Sequence, residues 1–211
     1  MDRKLGLIIA LLIVLFGAGA VLAEILVGVK KGDWIEYQVT YTGTPPEGHD
    51  VSWGRMDIKD VQGKSVIVLI TVNYSNGTQE EVTATLNLET GQLGDGFIIP
   101  ANLNSGDTFL DKNVGNVTIN GVKERTFAGA TRTVVYAEIL ESKYYWDKAT
   151  GILVEGTVQF PEYTMNTAVD KTNIWQPQIL GLNPTVFYVT IIGATVLIVV
   201  ALAVVITRRK K

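Results

Sequence analysis

The 211-residue chain carries 18 Lys and Arg against 21 Asp and Glu, is 47% hydrophobic, and contains no cysteine and one histidine. Without cysteine there is no disulfide framework, no thiol nucleophile and no thiolate metal site, so the fold must be held by an apolar core. The acidic balance argues against a nucleic-acid partner, which needs a basic surface.

In chain order, Arg3-Lys4 is followed by an uncharged run from Leu5 to Ala23. A basic start, an apolar stretch and small residues at its end predict a signal peptide over residues 1–23, or an uncleaved signal anchor, since nineteen apolar residues nearly span a bilayer as a helix.

From Asp33 onward the periodicity changes to two, and Val, Ile, Thr, Tyr and Trp dominate. These residues suit a pleated, half-buried surface. Strands are expected at Trp34–Tyr41, Val51–Asp60, Lys64–Tyr74, Glu80–Leu88, Asn116–Ile119, Lys123–Phe127, Arg132–Glu141, Lys143–Trp146, Ile152–Phe160 and Ala168–Trp175. Gln62-Gly63, Asn76-Gly77 and Asn120-Gly121 predict tight hairpin turns, and strands so joined are antiparallel. The expected fold is a mainly β antiparallel meander forming a curved half-barrel or a sandwich, because a flat sheet of this size exposes an edge and an apolar face.

The segment 91–112 is irregular, with Phe97-Ile98-Ile99-Pro100 as an apolar plug among Gly, Asn and Asp, and is expected to fold over an open end of the sheet. Gly32-Asp33-Trp34 is echoed by Gly106-Asp107-Thr108-Phe109. In YYWDKATGILVEG (144–156), Asp147 is expected to turn onto nearby amides and Gly151 to supply a positive φ, with Asn87 to Gly91 using the same device.

The final element runs uncharged from Val186 to Ile206 and stops at Arg208-Arg209-Lys210-Lys211. Its length suits one membrane crossing, Asn183-Pro184 suits a helix start, and the terminal cations place the C-terminus in the cytoplasm by the positive-inside rule. The domain plan is then signal or anchor 1–23, an extracellular β-domain 24–182, a transmembrane helix 183–207 and a basic cytoplasmic tail 208–211. With Arg3, Lys4, Asp2 and the four terminal cations set aside, the β-domain holds 12 Lys and Arg against 20 Asp and Glu.

Chemistry is sparse. His49 is the single histidine, no G-x-S-x-G surrounds a serine and no H-E-x-x-H occurs. The carboxylate pairs Asp57/Asp60, Glu80/Glu81 and Glu138/Glu141 leave a two-acid hydrolase as a third reading. Asp95, Asp107 and Asp111, with nearby Asn102, Asn104 and Asn113, are weak candidate Ca²⁺ ligands, although Asp and Asn also simply make turns. Asn73, Asn76 and Asn116 head N-x-S/T triplets that permit glycosylation. Strand aromatics are the ligand-binding candidates, namely Trp34, Tyr37, Trp53, Tyr145 and Trp146, because the inner side of a curved sheet forms an apolar trough.

The layout as a whole, with its start VKKGDWIEYQVTYTG, its YYWDKATGILVEGTV and its closing apolar span and basic end, resembles uncharacterised archaeal membrane-anchored surface proteins. More loosely, Arg132–Leu140, Tyr144–Trp146, the turn 147–151 and Ile152–Phe160 resemble the half-barrel of periplasmic lipoprotein carriers, in which long strands wrap an apolar groove. The expectation is a non-enzymatic cell-surface β-domain without cofactor, held in the cell membrane and binding a surface protein, a polymer or itself. The alternative is a lipid-like ligand held in a curved sheet.

Overall fold

The computed structural model describes residues 25–209, so the segment 1–23, read above as a signal peptide or anchor, lies outside the described residues. Eleven strands and one helix follow in order: β1(Trp34–Gly43), β2(Val51–Gln62), β3(Ser65–Tyr74), β4(Gln79–Asn87), β5(Thr108–Asp111), β6(Gly115–Thr118), β7(Gly121–Phe127), β8(Ala130–Ile139), β9(Ser142–Asp147), β10(Leu153–Gln159), β11(Tyr163–Thr172) and α1(Pro184–Arg209). The period of two is visible in the burial. Ile35 and Tyr37 are buried while Gln38 is exposed, and Val66 and Val68 are fully buried between half-buried neighbours.

Nine strands form one antiparallel sheet in the order β4-β3-β2-β1-β11-β10-β9-β8-β7, and β5-β6 is a separate hairpin. The strands are therefore not one meander in chain order. Two meanders, β1–β4 and β7–β11, are joined where the first strand pairs with the last, Tyr37 opposite Val169 and Tyr41 opposite Met165. That pairing leaves β4 and β7 at the two edges.

This topology decides what the irregular segment does. Residues 88–120 connect β4 to β7, and crossing a nine-stranded sheet at about 4.8 Å per step requires roughly 38 Å of chain. The connection takes the short way, across one face, and buries its apolar residues there. Leu88, Leu93, Ile98, Ile99, Leu103, Phe109, Val117 and Ile119 all join the core. Backbone bonds tie the plug to the β9–β10 turn: Ile99 N donates to Gly151 O (2.9 Å), Leu153 N to Phe97 O (2.9 Å) and Asn102 N to Lys148 O (2.7 Å). The indole of Trp146 donates to Gly96 O at 2.6 Å, so the one polar atom of a fully buried side chain is satisfied.

Two turn devices recur. Gly32 and Gly106 both have φ near +89°, and in each case the following Asp carboxylate accepts the amide three residues back, Lys30 N on Asp33 (3.0 Å) and Asn104 N on Asp107 (2.7 Å). The bonds to the neighbouring strand match as well, with Gly32 N and Ile58 N bonding as Gly106 N and Ile119 N do. The second device ends in Thr-Gly, with Asn87 Oδ1 and Asp147 Oδ1 each accepting a Thr amide and Gly91 and Gly151 at φ +74° and +73°.

Three expectations are corrected. Asn120-Gly121 is not a hairpin turn: β6 pairs with β5, and Gly121 opens β7, where a Cβ would meet the Tyr136 ring at 2.8 Å. The last strand is Tyr163–Thr172 rather than Ala168–Trp175, because Ile174 and Trp175 leave the sheet to cover its outer face, the indole donating to Phe127 O at 3.1 Å. Thr108–Asp111 is a strand that four residues of sequence did not reveal.

Helix α1 begins as its capping residues suggest, Asn183 Oδ1 accepting the Thr185 amide at 2.9 Å. Its 26 residues extend about 39 Å. It is long and apolar enough to cross a membrane, and its span Pro184–Leu202 is not buried against the β-domain.

Candidate functional site

The plug covers only part of the inner face. Phe97 ends the covered half, its ring 5.8 Å from that of Tyr37, and beyond it, among the described residues, the strands border a cavity. There Val39, Met56, Ile70, Val72 and Met165 line a cavity of about 170 Å³, with Gly54 among its walls. The rest of the lining is Tyr37, Val51, Phe97 and two polar residues, Arg55 and Thr167. Tyr37 turns its hydroxyl away from the cavity and donates to Leu153 O at 3.0 Å, and burial pushes that phenol far above its usual range.

Gly54 lies mid-strand, where glycine weakens a sheet and often marks a close approach. A Cβ added there would sit 3.8 Å from Thr71 O and 3.9 Å from Val72 Cγ1, which is ordinary contact. Neither backbone geometry nor crowding therefore requires glycine here. What it does is keep the cavity free of a side chain.

Toward the turns at this end, the groove continues over half-buried Tyr41, Val158, Phe160 and Tyr163 to exposed Val82 on edge strand β4. Tyr163 stacks on Phe160 with ring centroids 4.4 Å apart and leans on Tyr41 at 5.9 Å. The Tyr41 hydroxyl donates to His49 O (2.8 Å) and Val51 O (3.0 Å), pinning the β1–β2 loop beside the opening.

The five aromatic candidates divide between two faces. Tyr37 and Trp146 point inward, and only Tyr37 reaches the groove, because the plug seals Trp146. Trp34, Trp53 and Tyr145 belong to the outer face: the Arg55 guanidinium lies 4.3 Å over Trp34, and Arg125 lies 4.6 Å over Tyr145. The groove residues Gly54, Met56, Ile70, Val72 and Met165 were missed. The one usable signal was Gly54 inside a strong strand pattern, followed two residues later by Met56 on the same face.

Five of the six paired carboxylate candidates, all but Glu141, are engaged locally among the described residues. Asp57 receives Arg55 at 2.9 Å, which with its hydrogen bond holds the carboxyl below the usual range, and Glu36 takes the same guanidinium at 2.9 Å. Glu138 pairs with Lys143 at 2.8 Å, and Glu81 accepts the Thr71 hydroxyl at 3.3 Å. Asp107 caps its own turn, while Asp111 accepts the amides of Asn113 (2.8 Å) and Val114 (3.4 Å). Asp95 and Asp111 line one cavity of about 180 Å³ beside Tyr144, and Asp107 is not part of it. Among the described residues no three His, Asp or Glu side chains gather as a metal site. Of the glycosylation candidates, Asn76 and Asn116 are exposed and Asn73 is half-buried. His49 sits exposed on the β1–β2 loop.

Comparison with protein-family models finds none that matches the chain. No curated protein matches it either.

Proposed function

We propose that this chain is a non-enzymatic cell-surface module that holds an apolar, lipid-like chain in the open half of its inner sheet face, the sheet wrapping it as a half-barrel. The observation that carries this reading is the cavity beyond Phe97, lined chiefly by apolar side chains with Arg55 and Thr167 among them, and floored by a glycine that its backbone does not require. An open apolar cavity of this kind binds through removal of apolar surface from water, at roughly 25 cal/mol per Å². Helix α1 holds the module in the membrane with its basic end in the cytoplasm, as in the membrane-anchored surface proteins that the layout resembles. The groove opens at the Tyr163 end of β11, about 30 Å along the strand from Thr172, where the chain leaves for the helix. The ligand is therefore taken up at the end remote from the protein's own anchor.

The test is photo-labelling of the full chain in nanodiscs of zwitterionic lipid with a neutral dodecyl alcohol carrying a diazirine. Saturable cross-links in peptides of β1, β2 and β11 are expected, and Gly54→Leu should remove them with the circular dichroism unchanged. Labelling confined to α1, or labelling indifferent to Gly54→Leu, refutes the proposal.

A further inference from the structure

The nine-stranded sheet ends in two strands that are paired on one side only. Among the described residues no backbone hydrogen bond reaches the free side of β4 before Asn87, which closes on Gln92, or the free side of β7 from Val122 to Thr126. Neither edge is broken by a proline, and β4 and β7 pair with β3 and β8 without a bulge. Each edge instead exposes an apolar side chain. Val82 is 56% exposed and Val122 40%, whereas no inner strand of the sheet exposes a large apolar residue. Both valines lie on the inner face, Val82 level with Ile70 and Met56 of the cavity wall and Val122 level with buried Val135 and Trp146. The charges of the two edges differ. β4 holds Glu80 and Glu81 and no cation, while β7 holds Lys123 and Arg125 on its outer face with Glu124 on the inner. Glu81 and Lys123 are both exposed on the outer face, and neither has an ion-pair partner among the described residues.

We infer that copies of this chain assemble edge to edge, β4 of one pairing in parallel with β7 of the next, so that the sheet continues from molecule to molecule. The direction follows from the topology. β4 and β7 are the first and ninth strands of an antiparallel sheet and therefore run the same way. A second copy moved along the sheet presents its β7 parallel to β4, with its inner face on the same side. The Thr172 ends, from which each chain leaves for α1, then also lie on one side, as anchoring in a single membrane requires. Antiparallel pairing of β4 with β4 would place those ends on opposite sides and set one acidic edge against another. With Val82 level with Val122 of the next copy, the two exposed valines cover each other. Glu81 and Lys123 then lie one diagonal step apart on the outer face, within reach of two long side chains, and Glu80 and Glu124 fall beside Asn120 and Ala84 rather than beside acids. A contact between two different edges of the same molecule propagates as a row or closes as a ring. It involves no ligand in the groove and stands or falls apart from that reading.

The experiment is thiol cross-linking of the full chain in proteoliposomes, which the absence of native cysteine makes specific to introduced positions. Single variants Val82→Cys and Val122→Cys, differently tagged, are mixed and treated with a short bis-methanethiosulfonate reagent. Mixed dimers should form in excess over dimers of either variant alone, and the double variant Val82→Cys/Val122→Cys should give a ladder of multimers. Asp170→Cys, exposed on central strand β11, should cross-link to Val82→Cys only at the level of random collision. Adding Glu81→Lys to the double variant should reduce the ladder about five-fold, and adding Lys123→Glu as well should restore it, because the charge pair is then rebuilt in reverse. Dimers of Val82→Cys alone as abundant as mixed dimers would overturn the inference by placing β4 against β4. A ladder absent from the double variant, matched by the Asp170→Cys mixture, or indifferent to Glu81→Lys would overturn it too.

Discussion

Phe97 meets Tyr37 with ring centroids 5.8 Å apart, at the line where the crossing connection stops and the open groove begins. One ring belongs to the plug and the other to the first strand, so this contact sets how much of the inner face is left for a ligand. The plug reaches this far because its backbone is tied on both sides of Phe97, through Trp146 to Gly96 and through Leu153 to Phe97 itself.

Phe97→Ala should lengthen the groove. The truncation removes a half-buried ring and costs about 2 kcal/mol, less than the roughly 3–5 kcal/mol of a fully buried phenylalanine. Chemical denaturation reads the cost, and the maximum chain length of a photoreactive alcohol that still labels β1 reads the lengthening. A variant as stable as wild type would mean that the ring contributes nothing to the boundary.

The turn 147–151 separates structure from ligand binding. Gly151 has φ +73°, and a Cβ there would collide with the carbonyl oxygen of Ile99 in the plug. Gly151→Ala should therefore cost at least about 3 kcal/mol, and Gly151→Val more. Asp147 is almost fully buried, with Arg132 Nε on one oxygen at 2.7 Å and the Thr150 amide and hydroxyl on the other at 3.0 and 2.8 Å. Asp147→Asn should cost about 2–3 kcal/mol by leaving the guanidinium without its counter-charge. Below the melting temperature of that variant, groove labelling should equal that of the wild type; a loss of labelling in well-folded protein would give the turn a direct role.

Acid stability follows from the outer-face pairs. Asp57 is held below the usual carboxylate range first by its hydrogen bond from Arg55, and Glu138 likewise by Lys143. A carboxyl depressed in the folded state binds fewer protons there than when unfolded. Its contribution is thus present above the unfolded value near pH 4 and is lost as pH falls through the lower folded value. Urea midpoints should fall between pH 5 and pH 2, and Asp57→Asn should show a shallower fall over that window. Parallel curves for the two proteins would mean that Asp57 is not linked to folding.

Much of the architecture was legible because it is local. Alternation in Trp34–Tyr41 reports a half-buried strand, the β-branched apolar run in Ser65–Tyr74 reports another strand, and the Thr-Gly turns at Gly91 and Gly151 carry their own positive φ. Residues 97–100 read as an apolar plug because apolar side chains among turn formers must be buried somewhere, and Ile98 and Ile99 are fully buried. Face assignments within a strand were equally readable, with Tyr144 and Trp146 on one side and Tyr145 on the other. What failed was long-range. Asn120-Gly121 has the composition of a hairpin turn, yet β6 had already found its partner in β5, and no local pattern records that choice.

The sequence by itself determined the strand period, the turn chemistry, the apolar C-terminal helix and the acidic balance, since each depends on residues within a few positions of one another. Only the tertiary structure decided that β1 pairs with β11. That pairing puts β4 and β7 at opposite edges, sends residues 88–120 across the inner face, and leaves Val39, Gly54, Val72 and Met165 lining a cavity beyond Phe97 among the described residues. The physical reason is that a chain can cross a sheet only over one of its faces, and what such a crossing leaves bare depends on which strands it must connect.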